Sequence, residues 1–194
     1  MIANLLRNQT SDKHNELESL MFVSEIMNGS LRIPDFKKLL IVNYIIHHKL
    51  EKKLANMLDT EIFERLQMRT RFKLAALEKD LDYWAIDTTS LPDLDFELFV
   101  PQKNNAEVLG ALYVLEGATL GGNVIKKHIL KNSDFAHHKD GLNYYGVYGD
   151  ELGSKWKTFV EVLNESVTEV DYQLCINSAN NTFNNLINLS RQYS

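Results

Sequence analysis

Leu112-Tyr113-Val114-Leu115-Glu116-Gly117-Ala118-Thr119-Leu120-Gly121-Gly122-Asn123-Val124-Ile125 is apolar and helical in pattern at both ends, yet holds three glycines in the middle. Each interior glycine costs a helix about 1 kcal/mol against alanine, so the trio carries a local penalty on the order of 3 kcal/mol. Gly117 and Gly121 are four residues apart and share one helical face. A face without side chains lets another group approach the backbone closely, and it lets the helix bend. Two uses fit this spacing: tight packing of a second helix, or the cover of a bound group.

Working outward, the rest of the chain keeps the same helical period. Three prolines and nine glycines in 194 residues leave few breaks. A first helix carries the stripe Leu5, Leu6, Leu17, Leu20 and Met21, and Asn28-Gly29-Ser30 reads as the turn after it. Pro34 and Asp35 open a second helix that runs to about Leu58. A third helical region spans roughly Ile62 to Trp84, with Leu66, Phe72, Leu74 and Leu77 on its apolar side. Residues 85–103 read as a connector with one short helix at Asp95–Phe99. Helical pattern returns from Asn105 to Leu130, a polar and aromatic loop covers 132–148, and two last helices cover about 150–166 and 168–192. No segment alternates as a sheet strand would. The expectation is an all-α chain forming a single domain over residues 1–194.

Composition narrows the function. A net charge of -5 without a basic stripe argues against a nucleic-acid partner. The single cysteine, Cys175, allows no internal disulfide and no cysteine-based metal site, and it reads as a buried thiol. No uninterrupted run of 18 apolar residues is present and the N-terminus lacks a signal-peptide core, so a cytoplasmic protein with no membrane contact is expected. Phosphate loops, Gly-x-Ser-x-Gly elbows and zinc patterns are missing from the sequence, as is the Glu-x-x-His of a di-iron bundle. Among six histidines, His14 stands out. A helix would set it near the apolar stripe, with Glu18 at i+4 able to accept a hydrogen bond from the ring and strengthen it as a metal ligand. A surface histidine near a helix start fits the same spacing. His47 lies on a helix that faces the core, and His48, His128, His137 and His138 read as solvated or structurally satisfied.

At these two segments the chain resembles the heme oxygenase family, especially its bacterial, phytochrome-associated branch. Leu6-Arg7-x-x-Thr10-x-x-x-His14-x-x-Leu17-Glu18 is similar to the motif of the family's proximal helix, and Tyr113–Gly122 to that of its distal helix. Leu77-Glu78-Lys79-Asp80-Leu81, the Tyr145, Tyr148-Gly149, Trp156, Phe159 series, and Ala179-x-x-Thr182-Phe183 extend the likeness in order along the chain. The resemblance implies a helical bundle with heme between a proximal and a glycine-kinked distal helix. His14 would be the iron ligand, supported by Glu18. Gly117, Gly121 and Gly122 would cover the heme on its oxygen side. Arg7 and Lys157 would hold the propionates, and Thr119, Asn123 and Phe183 would complete the pocket.

The implied activity is oxidation of heme, substrate and cofactor at once, to biliverdin, carbon monoxide and free iron. It consumes O2 and electrons from an external donor such as a ferredoxin or a flavoprotein reductase, because the chain carries no redox-cofactor motif of its own. A phytochrome is one acceptor for the biliverdin. Ala118 departs from the family pattern, since bacterial relatives usually carry serine there and the animal branch an aspartate that organises distal water. Proton delivery then falls to backbone groups, Thr119, Asn123 or water. The alternative reading is a heme carrier of the same fold that does not degrade its ligand.

Overall fold

The computed structural model describes residues 1–91, 97–102 and 104–193. Among the described residues it is all helical, with no strand. Ten α-helices follow one another among the described residues: α1 (Ile2–Gln9), α2 (Ser11–Leu20), α3 (Val23–Asn28), α4 (Ile33–Met57), α5 (Thr60–Arg65), α6 (Leu74–Tyr83), α7 (Asn105–Gly117), α8 (Gly122–Ile129), α9 (Leu152–Ser166) and α10 (Tyr172–Tyr193). Short 3-10 turns link several of them, most densely between 133 and 151.

The apolar period explains the centre of the bundle. Phe36, Leu39, Leu40, Ile45, Ile46, Leu50 and Leu54 of α4 are buried together with Leu109, Ala111 and Leu115 of α7 and Cys175, Ala179 and Leu189 of α10. α7 lies along α10, and α10 also carries α2 and α4. Gly110 permits the α7–α10 approach: a Cβ there would stand 2.2 Å from the Cys175 carbonyl oxygen. α4 opens with Pro34 in its first turn, where the missing N–H costs nothing. α3 closes on Gly29, whose φ of 78° is easy for glycine alone. The stretch Asn105–Ile129 is apolar and long enough to cross a membrane by composition. In the fold it is two helices, and the apolar side chains of α7 sit in the core.

Several boundaries differ from those the periodicity suggests. The first helix is two, because the Thr10 hydroxyl and N–H both bond to the Leu6 carbonyl, at 2.8 and 3.0 Å, and Thr10 leaves helical geometry at φ −113° and ψ 0°. Leu5, expected on the apolar stripe, is exposed, while Leu6 is buried. The region from Ile62 to Trp84 is not continuous: α5 stops at Arg65, Gln67 turns left-handed at φ 53°, and α6 starts only at Leu74. Arg71 and Lys73, in this gap, point inward to the buried Glu116 carboxylate, a demand that no periodicity reveals. In the connector, Asp95 and Phe96 of the expected short helix lie outside the described residues. Glu97–Phe99 is not helical, and both the N–H and the carbonyl of Phe99 bond to the Asn185 side chain. The last two helices start later than expected, at Leu152 and Tyr172.

Candidate functional site

His14 sits on α2 with its side chain 57% exposed. Its ring meets the buried Phe183 of α10 edge-on, 6.2 Å between centroids. Lys13 and Glu16 fasten the helix to α10 on either side, Lys13 donating to the Asn184 side-chain oxygen at 2.6 Å and Glu16 accepting from Arg191 at 2.6 Å. An imidazole is therefore presented on an anchored helix with an aromatic ring beneath it. The expected bond to Glu18 is not made: Nδ1 is 3.8 Å from Oε1, too long for a hydrogen bond, and both side chains are in solvent. An exposed i,i+4 pair gains too little to be held rigidly.

A separate surface is built on α7, with Tyr113 and Gly117 one turn apart. Tyr113 packs on Trp156 of α9 at 5.7 Å between ring centroids, and a Cβ on Gly117 would meet only the far edge of that indole, at 3.9 Å. A Cβ on Gly121 would touch nothing nearer than its own helix's Ile125 side chain, at 3.6 Å. Both glycines therefore carry open sides. Burial pushes the Tyr113 hydroxyl above its ordinary range, and the positive charge of Arg7 on α1 partly offsets this. α1 rests on α9 and α10, with the Ala3 N–H bonded to Asn164 at 3.1 Å. The structure thus brings Arg7, Tyr113, Trp156 and Gly117 to one region, and His14 and Phe183 to a second, both built on α10.

Other expected site residues are placed differently. Gly122 is buried, and its missing Cβ would stand 2.9 Å from the Tyr145 carbonyl oxygen, so this glycine serves packing and not an open face. Lys157 follows the inward Trp156 and therefore points away: it is 77% exposed and 3.8 Å from Glu161. The Thr119 hydroxyl bonds back to the Glu116 carbonyl at 2.6 Å. Thr119 and Asn123 line a small cavity with Tyr144, Tyr145, Tyr148 and Leu152. Ala118 is exposed, as is Leu120, and Val124 on the next helix is half exposed.

Sequence reading missed a buried polar cluster beside the glycines. Glu116, Arg71, Lys73, Glu51, His47, Asn43 and Asp80 are all buried. His47 Nδ1 lies 2.8 Å from Glu51, and the Tyr144 hydroxyl donates to Asn43 at 2.9 Å. Burial drives the His47 ring below its ordinary pKa, and the Glu51 bond opposes this only in part, so a neutral imidazole is held. The one legible signal was the charge density of Arg69-x-Arg71-x-Lys73 next to apolar residues.

Within the residues described, His, Cys, Asp and Glu do not gather into any cluster fit to hold a metal by themselves. The two regions together suit a metal that arrives inside a flat organic ring. The second offers an exposed imidazole over an aromatic ring, and the first an aromatic pair, the Arg7 guanidinium and bare glycine backbone. The chemistry of that donor set fits heme.

Comparison with known proteins leads the same way. A family model described as heme oxygenase matches residues 1–192. Heme oxygenase 1 of Gallus gallus is 25% identical over 168 residues, covering 80% of this chain and 56% of that protein. A heme oxygenase of Xanthomonas campestris is 31% identical over 123 residues, covering 61% of this chain and 68% of its own length. This chain therefore spans little more than half of the chicken protein. Three solved structures share the fold. The heme oxygenase of Leptospira interrogans has a TM-score of 0.74 at 18% identity, with 98% of both chains covered. The heme oxygenase of Neisseria meningitidis, solved with NO and CO, has 0.77 at 20%, with 100% of this chain and 92% of that one covered. Heme oxygenase-1 of Synechocystis, solved in complex with heme, has 0.72 at 17%, with 98% and 91% covered.

Proposed function

This chain belongs to the heme oxygenase family, and from that membership we propose that it oxidises heme to biliverdin, carbon monoxide and free iron. The observation that carries the reading is an exposed, anchored imidazole at His14 in the same helical bundle as Gly117 and Gly121, whose sides stay open. His14 would hold the heme iron. Heme, when bound, supplies the site for O2 and is itself the carbon skeleton that is opened. Tyr113 and Trp156, packed on each other, would help keep water away from it, and the glycine backbone would allow close approach without offering a competing ligand. Arg7 pairs with a propionate and sets how the ring is turned.

Three successive oxygenations, each consuming O2, take their reducing equivalents from an outside donor, a ferredoxin or flavoprotein reductase, and the biliverdin is released to an acceptor such as a phytochrome. The enzyme works as one domain in the cytoplasm. Protons come through ordered water held by backbone carbonyls at the helix break, since Ala118 has no acid to give.

The test is direct. Purified protein titrated with hemin should bind about one equivalent, and a hundredfold excess over the dissociation constant should raise stability by about 2.7 kcal/mol. Adding a ferredoxin system and oxygen should replace the Soret band by biliverdin absorbance. His14→Ala should lose the imidazole signature of the spectrum. A stable oxygen complex, or bleaching without biliverdin, would identify a heme carrier instead.

A further inference from the structure

We infer that Glu116 is a positioning residue that sets the glycine segment Gly117–Gly122 at the distance the heme needs. This rests on the reading of that segment as the heme's distal wall.

The segment has little to fix itself with. Gly117, Gly121 and Gly122 lack side chains, and Ala118 and Leu120 are exposed. Its backbone leaves the α-helical ladder: Thr119 N–H bonds to the Glu116 carbonyl, Leu120 to Gly117 and Gly122 to Thr119, all i to i+3, at 3.0 to 3.1 Å. Its position is set at its two ends. At the far end Gly122 lies flush on the Tyr145 carbonyl. At the near end stands Glu116, the last residue before the break and 3% exposed.

The Glu116 carboxylate takes four donor contacts. Arg71 Nη1 reaches one oxygen at 2.5 Å and Lys73 Nζ the other at 2.5 Å, and the Tyr148 hydroxyl lies 2.9 and 3.1 Å from the two. Each donor is itself tied down. Arg71 also donates to the Leu66 carbonyl at 2.5 Å and to the Lys155 carbonyl on α9 at 2.9 Å. Lys73 donates to the Arg71 carbonyl at 2.9 Å, and its backbone N–H to Glu51 of α4 at 2.8 Å. Glu116 thus joins α7 to α4, to α9 and to the turn at 144–148. That turn supplies both anchors, the Tyr148 hydroxyl at one end of the glycine segment and the Tyr145 carbonyl at the other.

The charges also close. Two cations, Arg71 and Lys73, face two carboxylates, Glu116 and Glu51, with His47 held neutral. A bare hydrophobic contact would bury this helix end as well, but it would not fix direction. A carboxylate gripped by charged donors from both sides does.

Glu116→Gln, the isosteric change, leaves the two cations short of one negative charge. The paired variant Glu116→Gln with Lys73→Met restores neutrality and guards against simple unfolding, and Tyr148→Phe removes a single donor. The first readout needs no heme: amide hydrogen exchange of the apoprotein. Exchange at residues 117–122 should quicken by about tenfold in Tyr148→Phe and in the paired variant, while α10 stays protected. The second readout is kinetic. Hemin affinity should stay within about threefold, because His14 is untouched, while kcat falls by about tenfold or more, and Glu116→Asp should recover part of it. Unchanged exchange at 117–122, or exchange rising equally over α7 and α10, would overturn the inference, the latter by showing a role in general stability. If wild-type protein failed to bind hemin, the heme reading would fall, while the exchange result would still report whether Glu116 positions the segment.

Discussion

Two glycines of one helix run should answer oppositely to the same added methyl. At Gly110 a Cβ would stand 2.2 Å from a backbone oxygen of α10, which cannot move without moving that helix. Gly110→Ala should therefore destabilise the protein, by roughly 1–3 kcal/mol as overpacked core sites do, despite the better helix propensity of alanine. At Gly121 the nearest atom is a flexible Ile125 methyl at 3.6 Å. Gly121 caps α8 with φ −76° and ψ −17°, which alanine adopts freely, so Gly121→Ala should be neutral or stabilising by up to about 1 kcal/mol through the lost freedom of the unfolded chain. Urea unfolding of the two variants gives both numbers, and equal losses would show that the Gly121 side is not open. The larger Gly121→Leu should fold and still bind hemin, yet yield little biliverdin, because its side chain enters the space proposed for oxygen. Normal turnover by that variant would remove Gly121 from the heme's distal wall.

Among the elements, the break between α7 and α8 depends on a turn that α6 holds in place. Asp80 of α6 is fully buried and accepts from the Asn143 N–H at 2.7 Å, the Asn143 side chain at 2.8 Å and the Tyr144 N–H at 2.8 Å. Burial pushes the Asp80 carboxyl above its ordinary range, while the bonds from Tyr144 and Asn143 pull it back. Those bonds fix the turn whose Tyr145 and Tyr148 anchor the glycine segment. Asp80→Ala leaves two backbone N–H groups short of their acceptor, at a cost of roughly 1–3 kcal/mol for each group left buried and unpaired. The expected outcome is a lower urea midpoint together with weaker protection of the 144–148 amides. Protection that fell everywhere except in that turn would show that Asp80 does not hold it. The Leu77–Leu81 likeness was visible in the sequence, but the role of its aspartate was not, because its partners lie more than sixty residues away.

For the whole molecule, the buried cluster sets an acid limit. The His47 pKa is lowered from 6.5, chiefly by burial. The unfolded chain therefore takes up a proton below about pH 6.5 that the folded chain refuses, and stability falls as pH drops through that window. One such group gives a slope of at most about 1.36 kcal/mol per pH unit. Glu116 and Glu51 add a second stage. Burial raises each carboxyl, but Lys73 and Arg71 around Glu116, and the His47 bond and Lys73 around Glu51, outweigh it and hold both below 4.5. Their stabilisation is complete above pH 4.5 and is lost as pH falls through the folded values. Thermal midpoints measured from pH 7.5 down to 4 should decline from 6.5 onward, and His47→Gln should flatten the upper part of that decline. An unchanged slope in His47→Gln would assign the first stage to other groups.

At this same scale, the sequence by itself determined the fold class, the long helices α4, α7 and α10, the break at Gly117–Gly122 and the family, because helical periodicity, glycine cost and motif order are local and read along one chain. Only the tertiary structure decided which glycines pack and which stay open. Gly110, Gly117, Gly121 and Gly122 are chemically alike, and what separates them is a carbonyl or an indole brought close from α9, α10 or the turn at 144–148. The gap before α6 was likewise set by partners distant in sequence, Glu116 for Arg71 and Lys73 and Glu51 for the Lys73 N–H. The buried ion cluster shows the reason most plainly. Nothing along the chain marks Arg71, Lys73 and Glu116 as partners, and folding alone brings them to one point, where low dielectric makes their pairing obligatory.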